Sequence, residues 1–144
     1  MNNIILAKKW FLKTALSYLG TPYIWGGDDP SGFDCSGFVV ECLKTAGFLA
    51  EKEDYTADGL YRRFKRFEIN SPREGALIFK LNHESHAVHV AICLDNQFKI
   101  EAVGGDNRTI SIASSWYDNA FIKIRPINFD NKSNKVAYLF GDGM

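Results

Sequence analysis

One cysteine of this chain lies between a glycine-rich turn and a stretch with helical periodicity. Cys35 follows the turn at 21–33, and apolar residues then recur at helical spacing until Ala46, with Gly47 as the expected stop. Asp34 is a natural N-cap for that helix. A thiol in a first helical turn lies near unpaired backbone N–H groups and the positive end of the helix dipole, which favour the thiolate. Cys35 is therefore a candidate nucleophile, and the alternative is a cysteine that only packs in the core.

Three histidines follow one another at a spacing of three. His83, His86 and His89 raise the question of a metal site, but residues three apart in a strand point to opposite faces, which argues against a shared ion. We expect His83 and His86 in a hairpin loop. His89 lies inside the apolar run 87–94, where it is either a satisfied core histidine or the base that a catalytic thiol requires.

A carboxylate is predicted beside His89. A two-residue turn at Asp95-Asn96 would close a hairpin in which His89 lies opposite Ala102 and next to Glu101. Such a carboxylate could fix the imidazole tautomer and stabilise the imidazolium. The alternative is an exposed glutamate on an alternating strand.

The elements that must position these residues fall into two halves. Helices are predicted at 4–18, 35–46 and 56–64. After Pro72 the pattern favours strands at 75–81, 87–94, 97–103, 109–113 and 121–127, and a polar tail then leads to a last apolar run at 136–140. Helices followed by an antiparallel meander predict an α+β fold in one domain over 1–144.

The charge balance argues against a nucleic-acid partner. The chain has 17 Lys and Arg against 17 Asp and Glu, for a formal net charge of zero. A local basic cluster at 62–66 fits the solvated face of a short helix, and contact with an anionic polymer is the alternative. Of the remaining cysteines, Cys42 and Cys93 lie in apolar runs and are expected in the core.

The N-terminal segment is predicted to be an amphipathic helix. Lys8, Lys9 and Lys13 interrupt the continuous apolar region that a Sec-type export signal needs. No segment is long and apolar enough to span a bilayer. We therefore expect synthesis in the cytoplasm, and if the protein acts outside the cytoplasm, something other than a Sec-type signal must carry or release it.

Three motifs together resemble the NlpC/p60 family of bacterial cell-wall cysteine peptidases. They are Tyr-x-Trp-Gly-Gly, Gly-Phe-Asp-Cys-Ser-Gly-Phe and His-Val-Ala-Ile, and the likeness extends from Ala7 to the strand at Glu101. The resemblance implies a papain-like core with N-terminal helices packed on a five- or six-stranded antiparallel sheet. It also implies Cys35 as nucleophile and His89 as general base.

The same resemblance implies the substrate and the residues around it. Tyr23 would lie near the oxyanion or substrate, and Asp34 and Ser36 would line the cleft. The bond cleaved would lie in the peptidoglycan stem peptide, typically between D-γ-glutamyl and a diamino acid, with no cofactor and no metal. We expect a monomer. By analogy, the compact chain resembles phage or prophage members, which implies association with phage tail components and delivery to the cell wall by a virion or by lysis.

Two positions depart from the family pattern. The third catalytic position is most often His, and here it is Glu101, which should favour the thiolate–imidazolium pair and shift the pH profile. Where many members carry a Pro-Arg-Thr/Ser segment, this chain has Asp54-Tyr55-Thr56, so a site for a free peptide N-terminus is in doubt. A Cys-His amidase or acyltransferase acting on another amide, and a non-catalytic wall-binding or virion protein, remain as alternatives.

Overall fold

The computed structural model describes residues 3–29 and 32–141. The helices are α1 (Asn3–Ser17), α2 (Cys35–Thr45), α3 (Ala57–Phe64), which continues into a 3₁₀ turn (Lys65–Phe67), and α4 (Ile112–Asp118). The strands are β1 (Asp28–Asp29), β2 (Gly32–Phe33), β3 (Glu68–Ile69), β4 (Leu77–Leu81), β5 (Ala87–Cys93), β6 (Phe98–Val103), β7 (Phe121–Pro126) and β8 (Asn134–Ala137).

Six of these strands form one antiparallel sheet in the order β3-β8-β4-β5-β6-β7, and β1 pairs with β2 in a separate hairpin. α2 packs on β5 and β6 at the middle of the sheet, and α1 packs on α2. The predicted α+β fold with N-terminal helices against a five- or six-stranded antiparallel sheet is confirmed.

The core lies between α1, α2 and the sheet. α1 buries Phe11 and Ala15, and the Phe11 ring lies 5.3 Å from that of Phe140, which follows β8. α2 buries the side chains that its helical periodicity brings to one face, and Phe38 packs 6.1 Å from Phe33 of β2. This packing fixes the first turn of α2, where Cys35 lies.

The predicted two-residue turn between β5 and β6 is wrong. Cys93 pairs with Lys99, and the backbone N–H of Leu94 donates to the carbonyl of Phe98 at 2.8 Å, so the turn between them contains the three residues 95–97. A carboxylate oxygen of Asp95 accepts hydrogen bonds from the backbone N–H groups of Gln97 and Phe98, both at 2.7 Å. These side-chain bonds stabilise the longer loop and displace the pairing by one residue.

The predicted strand at 109–113 is also wrong, because this segment leads into α4. Ser111 caps the helix and exchanges capping-box hydrogen bonds with Ser114. Ile110 and Ile112, whose alternation favoured a strand, are exposed. No helix in the described ranges has the length and apolar character needed to cross a membrane.

Candidate active site

The first turn of α2 is held by the side chain that precedes it. Oδ1 of Asp34 accepts a hydrogen bond from the backbone N–H of Gly37 at 2.7 Å and one from the Ser36 hydroxyl at 3.3 Å. Cys35 is the first residue of the helix and is partly exposed. Its thiol therefore lies where the N-terminal end of the helix dipole favours negative charge.

Two glycines allow the preceding turn to lie directly against this helix. The carbonyl of Gly27 accepts a hydrogen bond from the N–H of Asp34 at 3.0 Å. A Cβ on Gly37 would collide with the same carbonyl oxygen, and a Cβ on Gly27 would collide with the backbone of Gly32. Gly27 and Gly37 thus permit two close backbone contacts behind Cys35.

The pairing of β5 with β6 places Glu101 on the same face as His89. Facing residues of an antiparallel pair share a face, so the pairing of Cys93 with Lys99 aligns His89, Lys99 and Glu101. The prediction of His89 opposite Ala102 is wrong, and that register would have turned Glu101 to the other face. Nε2 of His89 lies 2.7 Å from Oε1 of Glu101.

His89 is hydrogen-bonded on both sides. Its Nε2 faces Glu101, and a second hydrogen bond joins it to the Cys35 thiol. Burial alone would lower the pKa of His89, but the hydrogen bonds and negative charges of Cys35 and Glu101 raise it to about 9. Conversely, burial would raise the pKa of Glu101, but His89 and Lys99 hold it below its ordinary value. The imidazolium and the carboxylate therefore stabilise each other at neutral pH.

The site predicted from the sequence opens into one cleft of about 520 Å³. Tyr23, Asp34, Cys35, Ser36 and His89 all line this cleft. Glu101 is 1% exposed. It lies behind the imidazole of His89 and is not among the described residues that line the cleft. The structure thus brings all six predicted site residues together, five of them at the cleft wall and Glu101 behind His89.

Tyr23 enters the cleft as a protonated phenol. Its side chain is 6% exposed, and its ring packs so closely on Gly105 that a Cβ there would overlap it. Burial, followed by the charges of Cys35, Asp34 and Asp106, raises the pKa of Tyr23 to about 12. The hydroxyl therefore remains a hydrogen-bond donor throughout the neutral range.

Other cleft residues were not predicted from the sequence as site residues. Trp25, Thr56, Val88 and Asp106 line the cleft, and the side chains of Trp25 and Val88 are each 54% exposed. Trp25 belongs to the Tyr-x-Trp-Gly-Gly motif, and this membership could have identified it from the sequence as a site residue. Thr56 and Asp106 come from loops whose positions depend on tertiary packing.

Two cations beside Glu101 were also not predicted from the sequence. Nζ of Lys99 lies 3.1 Å from Oε1 of Glu101, and Nε of Arg125 lies 3.8 Å from Oε2. Oε2 is buried and has no hydrogen-bond partner among the described residues. Lys99 precedes Glu101 by two residues on one strand, so an alternating pattern could have placed both on one face.

The family model described as "NlpC/P60 family" matches residues 20–125, which contain Tyr23, Cys35, His89 and Glu101. The chain belongs to the NlpC/P60 family.

Curated relatives of this NlpC/P60 chain are longer proteins. It is 34% identical over 103 residues to the probable peptidoglycan endopeptidase LytE of Bacillus subtilis, a match that covers 72% of this chain and 29% of LytE. It is 32% identical over 79 residues to the gamma-D-glutamyl-L-lysine dipeptidyl-peptidase of the same species, covering 54% of this chain and 26% of the relative. The chain thus spans less than a third of the length of either protein.

The NlpC/P60 fold is also found among solved structures. The peptidoglycan hydrolase RipB of Mycobacterium tuberculosis superposes with a TM-score of 0.70 at 22% identity, covering 95% of this chain and 66% of RipB. This likeness extends the shared architecture beyond the family-model match to nearly the whole chain.

The remaining thiols and imidazoles of this NlpC/P60 chain lie apart from the cleft. Burial raises the pKa of Cys42 above its ordinary range and that of Cys93 to about 12, so both remain thiols in the core. His83 and His86 lie in the turn before β5, as predicted, and both are exposed. No group of three or more His, Cys, Asp or Glu in the described residues is arranged to hold a metal ion.

Proposed function

We propose that this chain is a cysteine peptidase that hydrolyses peptidoglycan stem peptides, with Cys35 as nucleophile, His89 as acid and base, and Glu101 as the residue that orients His89. The observation that carries the proposal is His89, hydrogen-bonded to the Cys35 thiol on one side and to a buried carboxylate on the other. A nucleophile, a base and an orienting group in this order are what thiol catalysis requires.

The ground state of the reaction is a thiolate–imidazolium pair. A carboxylate oxygen of Glu101 accepts a hydrogen bond from Nε2–H of His89, which leaves Nδ1 to take the proton of the Cys35 thiol. The thiolate attacks the amide carbonyl, and the carbonyl oxygen becomes an oxyanion. We assign the stabilisation of that oxygen to the backbone N–H of Cys35 and the Tyr23 hydroxyl, because both residues line the cleft.

The imidazolium then completes both halves of the reaction. It gives its Nδ1 proton to the leaving amine, the C–N bond breaks, and a thioester to Cys35 remains. The neutral imidazole next takes a proton from water as the hydroxide attacks the thioester carbonyl. Breakage of the C–S bond releases the acid and restores the pair of Cys35 thiolate and His89 imidazolium.

The substrate class rests on the family and on the names of relatives. LytE is named a probable peptidoglycan endopeptidase, and a second relative is named for a bond between γ-D-glutamyl and L-lysine. The open cleft, about 520 Å³ in volume, offers room for an extended peptide. We infer that the scissile bond joins D-γ-glutamyl to a diamino acid.

Digestion of purified peptidoglycan tests the proposal. Wild type, Cys35→Ala and the matched control His83→Ala, which removes an exposed imidazole outside the cleft, would be incubated with walls that contain different diamino acids. Mass spectrometry should find new stem-peptide termini with wild type and His83→Ala only. If wild type and His83→Ala release no fragments from any wall but both proteins bind the walls, the chain is a wall-binding module. Turnover of small amides or acyl donors alone would instead indicate an amidase or acyltransferase.

A further inference from the structure

The charged groups around the His89–Glu101 pair come from three strands and one helix. Cys35 of α2 faces the imidazole, and Lys80 of β4 pairs with His89 across the sheet. Lys99 of β6 and Arg125 of β7 approach the two oxygens of Glu101. Lys123 pairs with Glu101 in β7, but its ammonium donates to the Asn119 carbonyl at 2.7 Å.

Lys99 approaches the carboxylate of Glu101 more closely than Arg125 does and uses the same oxygen as His89. Its Nζ lies 3.1 Å from Oε1 of Glu101, while Nε2 of His89 lies 2.7 Å from that oxygen. The Lys99 side chain is 22% exposed, so the contact is only partly screened by water. One carboxylate oxygen is therefore shared between two cations.

Lys99 lies on the side of His89 away from the candidate cleft. It lines a separate pocket of about 270 Å³ behind the sheet, together with Lys80, Ala91 and Asp130. His89 lines both that pocket and the cleft, whereas Lys99 is outside the described cleft lining. Any effect of Lys99 on the reaction would have to pass through Glu101 and His89.

The sharing of this Glu101 oxygen between two cations affects the proton transfers that the proposed reaction requires of His89. A carboxylate behind His89 favours the imidazolium, which suits the thiolate pair but opposes the proton transfer to the leaving amine. After that transfer, the same carboxylate favours uptake of a proton from solvent, which would remove the neutral base needed for thioester hydrolysis. A second cation on the carboxylate weakens its hold on the imidazole proton.

We propose that Lys99 is a positioning residue whose ammonium divides the negative charge of Glu101, so that His89 can release its proton during the catalytic cycle. This inference rests on the proposed thiol-peptidase function. In this account, the lysine two residues earlier on the strand offsets part of the negative charge that Glu101 brings to His89. Lys99 does not touch substrate in this account.

The test compares Lys99→Met, which keeps the aliphatic chain, with Lys99→Arg, which keeps the charge. Lys123→Met is the matched control. It removes a cation from the same face of the sheet, but that cation is hydrogen-bonded to the Asn119 carbonyl and not to Glu101. NMR titration of His89 in the Cys35→Ala background should show its midpoint rising by on the order of one pH unit in Lys99→Met, since a nearby positive charge is lost. Lys99→Arg should restore it, and Lys123→Met should change it less.

The kinetic readout uses a soluble stem-peptide substrate. Lys99→Met should accumulate the acyl-enzyme at neutral pH and lower kcat about tenfold, with a smaller effect on kcat/KM. If Lys99→Met is unstable, Lys99→Gln repeats the comparison. An unchanged His89 midpoint in both neutral variants overturns the inference. The NMR titration needs no substrate, so a shifted midpoint in a protein inactive on every wall would leave the charge division intact while refuting the proposed function.

Discussion

Oε1 of Glu101 lies 2.7 Å from Nε2 of His89, and the carboxylate is 1% exposed. A buried carboxylate at this distance raises the pKa of the imidazole because it stabilises the protonated form more than the neutral form. Glu101→Gln keeps an acceptor but removes the charge, so the pKa of His89 should fall. The alkaline limb of the kcat/KM profile should move to lower pH by about one unit, with roughly tenfold lower activity near pH 8.

Glu101→Ala is the companion variant, because it also leaves Nε2 unpaired and should cost roughly a hundredfold in kcat/KM. A pH profile for Glu101→Gln identical to that of wild type would show that the hydrogen bond, and not the charge, is what matters at this position.

The Tyr23 hydroxyl is expected to act on the transition state. Tyr23→Phe keeps the ring against Gly105 and removes only the donor. We expect kcat to fall about 10- to 100-fold with little change in KM, because an oxyanion forms only as the carbonyl is attacked. Tyr18→Phe is the control, since that ring packs edge-on against Phe33 at 5.0 Å. A change in KM alone would assign Tyr23 to substrate binding.

The contact between Gly37 and the Gly27 carbonyl predicts a stability cost. Alanine in a helix is ordinarily favoured over glycine by about 1 kcal/mol. In Gly37→Ala, however, the new methyl group would overlap the Gly27 carbonyl oxygen and lie 2.9 Å from Oδ1 of Asp34. The free energy of unfolding, measured in urea, should therefore fall by about 1–3 kcal/mol. Gly141→Ala, whose Cβ would make ordinary contact with Tyr138, should leave it nearly unchanged.

Asp58 ties α3 to the start of β5. Its Oδ1 accepts the backbone N–H of Ala87 at 2.9 Å, two residues before His89. That hydrogen bond, aided by Arg62, keeps the pKa of Asp58 below its ordinary value. The stabilisation is therefore present above about pH 4 and is lost as the pH falls through the folded-state pKa. Asp58→Ala should unfold more easily than wild type by about 1 kcal/mol at pH 7.

The difference in stability between wild type and Asp58→Ala should shrink below pH 4, which thermal unfolding across a pH series would measure. A difference that stays constant down to pH 2 would contradict a role for the ionised carboxylate.

The helices and the main strands could be predicted because their periodicity is local. Asp34 and Gly47 mark the ends of α2, and β5 is an apolar run that only His89 interrupts. The strand predicted before α4 is wrong. Two exposed isoleucines alternate as strand residues do, but the capping hydrogen bonds between Ser111 and Ser114 start a helix there. A capping box of two serines is a weaker sequence signal than Ser or Thr with Glu.

The site was predicted less completely than the fold, because one residue of register decides which side chains meet. Glu101 was expected beside His89, yet the predicted pairing would have turned it away from His89. The hydrogen bonds made by the Asp95 side chain set the true loop length, and no hydrophobic pattern reports them. Lys99 shares a face with Glu101 in any register, but only the observed pairing of β5 with β6 brings both residues to the face of His89.

The cap of α2 also limits how this cleft can be redesigned. Oδ1 of Asp34 holds the Gly37 N–H, while the same residue forms part of the cleft wall. Burial raises the pKa of Asp34, although hydrogen bonds from Gly37 and Ser36 oppose that rise. A library that varies position 34 to change substrate preference will therefore select first for side chains that can still accept a hydrogen bond. Asparagine and serine are the replacements that should survive, and selectivity is better engineered from the exposed ring of Trp25.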